Sequence, residues 1–168
     1  MAIDDHPLIV KSIVWATEAD TQAFAEALAG KLRTAMPAGN ALIQLHGDLG
    51  TGKTTLARHL LKALGVSGRI KSPTYAVVEP YSVTGTAPGD ALAIWHFDFY
   101  RFNDPNEWEE AGFRDIFASP GLKLIEWPEK AGQHLPPADL DIHIQLLANE
   151  ARAVVLTAYT FAGAALLP

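Results

Sequence analysis

Eight consecutive residues, Gly47-Asp48-Leu49-Gly50-Thr51-Gly52-Lys53-Thr54, match the spacing G-x-x-x-x-G-K-[ST] without a mismatch. That spacing suits the holding of phosphate. Glycines let main-chain N–H groups curl inward around oxyanions, where a side chain would obstruct the approach. A helix opening near Gly52 would aim its positive end at the same anion. In such a geometry Lys53 reaches the β- and γ-phosphates of a nucleoside triphosphate, and the Thr54 hydroxyl ligates Mg2+. Thr55 is close enough to reach a phosphate too. Composition alone would produce the pattern in about 0.6% of chains this long.

A magnesium held this way needs a carboxylate at the end of a neighbouring strand. Two residues qualify. Glu126 ends the apolar run Leu122-Lys123-Leu124-Ile125, and Asp98 follows Ile94-Trp95-His96-Phe97. Both sit where ligands bind in open α/β sheets, and spacing alone does not choose between them. Strand alternation would put His96, Asp98 and Tyr100 on one face, so that Asp98 could polarise water or anchor a switch loop while His96 and Tyr100 point inward or pack. Lys71-Ser72-Pro73-Thr74 occupies the place of a nucleotide-sensing loop, although a plain turn fits equally well. His46, His59, His134 and His143 lack metal-ligand spacing and read as surface or packing residues.

These groups must be positioned by an α/β framework. Residues 8–15 are apolar and β-branched, as a strand requires. Thr17-Glu18-Ala19-Asp20 then has the form of a capping box, and Phe24, Leu28 and Leu32 recur at helical spacing. Residues 37–40 break this helix. Residues 41–46 are the strand before the glycine-rich loop, and a helix over 54–64 ends at Gly65. Further strands are expected at 75–83, 92–100 and 122–127, with a turn-rich link at 84–90 and a short acidic helix opened by Asp104-Pro105. Residues 139–147 and 151–159 read as a late hairpin. The expectation is a P-loop NTPase-like three-layer α/β sandwich with a mixed sheet, in one domain with its core over about 8–159.

Composition bounds the rest. A chain of 168 residues fits one domain, and 49% apolar with 19% charged residues is the globular norm. No apolar run reaches the roughly 18 residues of a membrane span, and the start, Met1-Ala2-Ile3-Asp4-Asp5, does not resemble a signal peptide. The absence of cysteine rules out disulfides and thiolate metal sites. A cytoplasmic address is expected. A net charge of −6 argues against autonomous nucleic-acid binding.

The ordered set of blocks is more telling than any one of them. Residues 47–55, then Lys71-Ser72-Pro73-Thr74-Tyr75, then His96-Phe97-Asp98-Phe99-Tyr100-Arg101, then Glu126-Trp127-Pro128 follow in sequence, with Asp104-Pro105, Glu107, Glu109 and Gly112 between. This pattern resembles the bacterial TsaE (YjeE) family, ATPases of tRNA threonylcarbamoyladenosine biosynthesis, over nearly the whole chain. The resemblance implies ATP and Mg2+ as cofactors. It implies ATP hydrolysis that resets a complex of two partner proteins, TsaB and TsaD, which modify an adenosine beside the anticodon; tRNA is met only through that complex. Residues 49–54 would contact ATP, Thr54 and Glu126 would hold the metal, and Asp98 would be needed for hydrolysis. The front helix would lie near the adenine, making Glu18 and Thr21 candidates for the base pocket.

Two positions depart from the family pattern. Phe99 stands where leucine is usual, and Trp108 replaces a smaller apolar residue, which concerns packing rather than chemistry. A small-molecule or nucleotide kinase is the competing reading. Such kinases carry paired lid arginines, whereas Arg114 and Arg152 bracket a long arginine-free stretch here. No N-K-x-D segment exists to read guanine. Arg101 is a candidate catalytic arginine, and residues 107–110 are a candidate partner-facing segment as well as an ordinary solvated helix face.

Overall fold

Apolar residues alternate along most strands and recur every third or fourth position along the long helices, and these two periods set the layers. The computed structural model describes residues 8–35, 40–71, 73, 77–84, 91–104 and 106–168. Its strands are β1 (Ile9–Trp15), β2 (Ala41–His46), β3 (Val78–Thr84), β4 (Ala91–Asp98), β5 (Leu122–Glu126), β6 (Leu140–Leu146) and β7 (Arg152–Ala158). They form one sheet in the order β1-β7-β6-β2-β5-β4-β3. β2 runs parallel to β5 and β6, and β4 parallel to β5. The remaining pairings are antiparallel, including the expected β6–β7 hairpin. The mixed α/β sheet agrees with the sequence reading.

On one face α1 (Glu18–Ala35) and α2 (Lys53–Leu64) cover the sheet, with Leu28, Leu32, Leu56 and Leu60 packed with Ile43, Ile142 and Leu156. On the other, α3 (Glu107–Glu110), α4 (Phe113–Ala118) and a 3-10 segment (Pro128–His134) enclose an aromatic cluster around Phe97, Phe99, Trp108 and Phe113. β5, caught between the layers, is buried along its whole length, as a central parallel strand should be. The two departures from the family pattern meet here. The Phe99 and Trp108 rings lie 5.9 Å apart, one filling space beside the other.

Local chemistry sets the boundaries. The Asp20 carboxylate accepts the N–H groups of Ala16 at 2.8 Å and Thr17 at 3.2 Å, the acidic half of the expected capping box. α2 ends at Gly65 in a left-handed conformation, its N–H bonded to the Lys62 carbonyl. The strand expected over 92–100 stops at Asp98. There the Phe99 N–H donates to the Glu126 carbonyl at 3.1 Å, and the Tyr100 N–H turns back to Asp98 Oδ1 at 2.9 Å. The strand over 122–127 likewise ends one residue early, because Trp127 adopts a positive φ of 55°.

The tail forms α5 (Phe161–Ala164), capped by the Thr160 hydroxyl, and carries Leu166 into the main core beyond residue 159. Residues 1–5, 37–39, Ser72, Thr74, Tyr75, Pro105 and 85–90, each part of a sequence reading above, lie outside the described residues. No helix among those described is long and apolar enough to cross a membrane.

Candidate functional site

Three parallel strands end side by side. Leu45 on β2 lies opposite Glu126 on β5, and Glu126 lies opposite Asp98 on β4. The loop leaving β2 therefore rises beside both candidate carboxylates, at the strand edge where α/β sheets bind ligands.

Gly47 leaves the strand at φ 147°, and a Cβ there would sit 2.5 Å from the Ile144 carbonyl oxygen and 2.6 Å from Thr51 Oγ1. Only glycine fits this turn. Thr51, itself buried, ties the loop by donating its N–H and hydroxyl to the Asp48 carbonyl at 3.3 and 3.0 Å. α2 then begins with Gly52 as its N-cap, with no side-chain cap and no acidic residue in its first turn. Its unpaired N–H groups and positive end lie at the loop.

Lys53 is only 5% exposed. Its ammonium donates to the carbonyl oxygens of Gly47 and, at 2.9 Å, of Asp48, and lies 4.1 Å from the Trp127 ring centre. Burial pulls its pKa below the ordinary lysine value, against the opposing pull of Glu126, Glu129, Asp98 and Asp48. Beside it the Thr54 hydroxyl donates to Glu126 Oε1 at 2.8 Å. The other carboxylate oxygen of Glu126 lies 2.6 Å from His96 Nε2. Both Glu126 and His96 are 1% exposed, so the histidine orients the carboxylate from behind.

Asp98 takes a different role in the geometry. It is half-buried, and desolvation raises its pKa, with the charge of Glu126 adding to the rise; the Tyr100 N–H, His96 and Lys53 act the other way. It makes no bond to Thr54 in the hydrogen-bond network described above. Of the three residues expected on one face, Asp98 and Tyr100 both line the open cavity, Tyr100 with its ring 4.9 Å from Trp127. His96 is buried behind Glu126 and meets the cavity only through that carboxylate.

The loop separates several hollows. One of about 430 Å3 is lined by Leu49, Gly50, Lys53, Thr54, Asp98, Arg101 and Glu126 among others. A second of about 200 Å3 is lined by Trp15, Glu18, Thr21, Thr51, Thr55 and Arg152 with Gly52. Glu18 and Thr21 thus meet the loop from α1, and Glu18 also lies 3.0 Å from His59 Nε2. Gly47 and Asp48 border a third, of about 650 Å3, on the side of β6. Sequence reasoning did not single out Trp15 or Arg152 for this place. Both come from strands that look purely structural, and only the pairing of Trp15 with Arg152 across β1 and β7 brings them to the loop.

The donor set fits a hard cation. Thr54 and Glu126 offer two adjacent oxygens, as Mg2+ prefers when phosphate and water complete its shell. No group of three or more histidine and carboxylate side chains among the described residues is arranged to hold a metal alone. The open mouth and positive helix end fit a polyphosphate.

The family model described as "Threonylcarbamoyl adenosine biosynthesis protein TsaE" matches residues 15–154. The chain belongs to the TsaE family. Among relatives, the tRNA threonylcarbamoyladenosine biosynthesis protein TsaE of Haemophilus influenzae is 44% identical over 122 residues, covering 73% of each chain. The TsaE of Bacillus subtilis is 30% identical over 151 residues, 89% of this chain and 87% of that one. The crystal structure of Bacillus subtilis YdiB superposes with a TM-score of 0.73 and 26% identity, over 96% of this chain and 94% of that one. The region matched to the TsaE family includes the glycine-rich loop, both carboxylates and Arg152.

Proposed function

We propose that this chain binds and hydrolyses Mg·ATP in support of threonylcarbamoyladenosine modification of tRNA, acting in the cytoplasm on a complex of TsaB and TsaD. The observation that carries the nucleotide reading is the bond between Thr54 and Glu126 beside a buried lysine at the open end of a helix. A hydroxyl and a carboxylate 2.8 Å apart, next to an ammonium and unpaired N–H groups, answer the charge pattern of a metal-bound triphosphate. The relatives' names supply the pathway.

In this reading Lys53 exchanges its carbonyl partners for phosphate oxygens. Thr54 and Glu126 hold the metal, which neutralises charge on the phosphates. Residues Gly47 to Thr55 line the phosphates, while Glu18 and Thr21 border the base. Asp98 Oδ1 is committed to the Tyr100 N–H, which leaves Oδ2 to orient an attacking water and accept its proton. Its raised pKa makes it a better base than an ordinary aspartate. The partners would close the mouth and exclude bulk water.

The test is phosphate release from ATP by the pure chain, then with TsaB and TsaD added. Slow turnover that rises with the partners is expected. Lys53→Ala should weaken Mg·ATP binding by roughly 10- to 150-fold, and Asp98→Ala should abolish turnover while leaving binding. A wild-type chain that releases no phosphate even with both partners would refute the ATPase reading. Phosphate transfer to a small acceptor, with no response to the partners, would refute it in favour of a kinase.

A further inference from the structure

We infer that Arg152 is a nucleotide contact, gripping the phosphate nearest the sugar; this rests on the ATP-binding reading above. Among the described residues, only Gly52, Thr55 and Arg152 line both the 430 Å3 hollow beside Lys53 and the 200 Å3 hollow beside Glu18. A nucleotide with its triphosphate in the first and its base in the second must cross at these three residues. Arg152 is the charged one. The group that crosses is the sugar with its first phosphate, and a guanidinium is well matched to a phosphate.

The side chain is held in place for such a contact. Arg152 begins β7, paired with Trp15 on one side and Leu146 on the other. Its Nε donates to the Thr51 carbonyl at 3.0 Å, and its Nη1 donates to the Glu150 carbonyl at 2.6 Å. Those two bonds use two of five N–H donors and fix the guanidinium plane against the loop.

The position is electrostatically awkward without an anion. A Cβ built on Gly52 would lie 3.5 Å from Arg152 Nε, so the cation sits at the start of α2. A positive charge there opposes the helix dipole. Lys53 adds a second cation, and the first turn has no acidic residue to offset either. An anion at the crossing would satisfy both cations and the helix end together.

The experiment is calorimetric titration of Mg·ATP and Mg·ADP into the wild-type chain and into Arg152→Ala, Arg152→Gln and Arg152→Lys. Arg152→Ala and Arg152→Gln should lose roughly 10- to 150-fold in affinity, by the same factor for both nucleotides, because the first phosphate is common to them. Arg152→Lys should recover part of the loss. Unfolding midpoints without nucleotide identify variants that fold, and the Gln and Lys variants serve if Ala does not. Unchanged affinity in Arg152→Gln would overturn the assignment. A loss much larger for ATP than for ADP would also overturn it, showing that Arg152 acts on the far phosphates by holding the loop at Thr51. A wild-type chain that binds neither nucleotide removes the ATP reading itself, and this one with it.

Discussion

Replacing Glu126 separates its structural role from its proposed role toward the metal. Its carboxylate takes one bond from Thr54 and one from His96 in a place closed to solvent. Glu126→Ala strands both partners and leaves a void, which in a buried charged pair costs about 3–5 kcal/mol. At roughly 2–4 °C per kcal/mol for a chain of this size, the unfolding midpoint should drop by about 6–20 °C. Glu126→Gln keeps the volume. Its carbonyl oxygen can still take the His96 Nε2 proton, because His96 Nδ1 has no other partner to favour the opposite tautomer, and its amide can donate to the Thr54 hydroxyl. The loss is then the charge assistance of two bonds, about 1–2 kcal/mol. The Gln variant therefore folds, yet lacks the anionic oxygen for Mg2+. Calorimetry with ATP, with and without magnesium, reads the metal role. The wild-type chain should gain affinity from the metal, and Glu126→Gln should not. An unshifted midpoint in Glu126→Ala would refute the buried joint, and an undiminished magnesium effect in Glu126→Gln would refute metal ligation.

Other changes probe single features. Gly47→Ala must push its methyl into the Ile144 carbonyl and Thr51 hydroxyl, and should abolish nucleotide binding, whereas Gly50→Ala meets open space and should cost only about 1–2 kcal/mol of backbone strain in urea unfolding. Burial raises the Asp98 pKa above its ordinary 3.8, so the folded chain holds that proton more tightly than the unfolded chain. Stability is then lost as pH rises from near 3.8 through the raised value and stays lower above it; Asp98→Asn should accordingly raise the midpoint at neutral pH, show no such gain below about pH 3, and lose turnover. Gly163→Ala would place its Cβ 1.9 Å from the Asp139 carbonyl oxygen, which should cost about 1–3 kcal/mol of stability with nucleotide affinity unchanged.

Much of the fold was legible because its signals are local. The helix from Lys53 to Leu64 is announced by apolar spacing and closed by Gly65, and the β6–β7 hairpin by alternating Leu140, Ile142 and Ile144. The short helices at Phe113–Ala118 and Phe161–Ala164 were not foreseen, since one turn carries no measurable period. The tail reads as bland because its packing depends on a distant partner. Thr160 bonds to Asp139, and Gly163 is small because the Asp139 carbonyl presses against it.

At the site, the division between pattern and pairing is sharper. The loop announces its own glycines, lysine and hydroxyl, since one short stretch of backbone must do the work. Which carboxylate joins it depends on strand order, and strand order is written nowhere in the neighbourhood of either residue. Asp98 and Glu126 both close apolar runs, and they end opposite one another on adjacent strands. Their difference arises because β5, not β4, is the neighbour of β2. That adjacency brings Glu126 within reach of Thr54 and leaves Asp98 one strand further out. Glu126 there has two hydrogen-bonding partners, Thr54 and His96, while Asp98 takes a single backbone N–H, and burial, with the nearby Glu126 charge adding to it, raises its pKa. The proposed metal ligand and the proposed base would thus follow from one register, with a carboxylate at both positions.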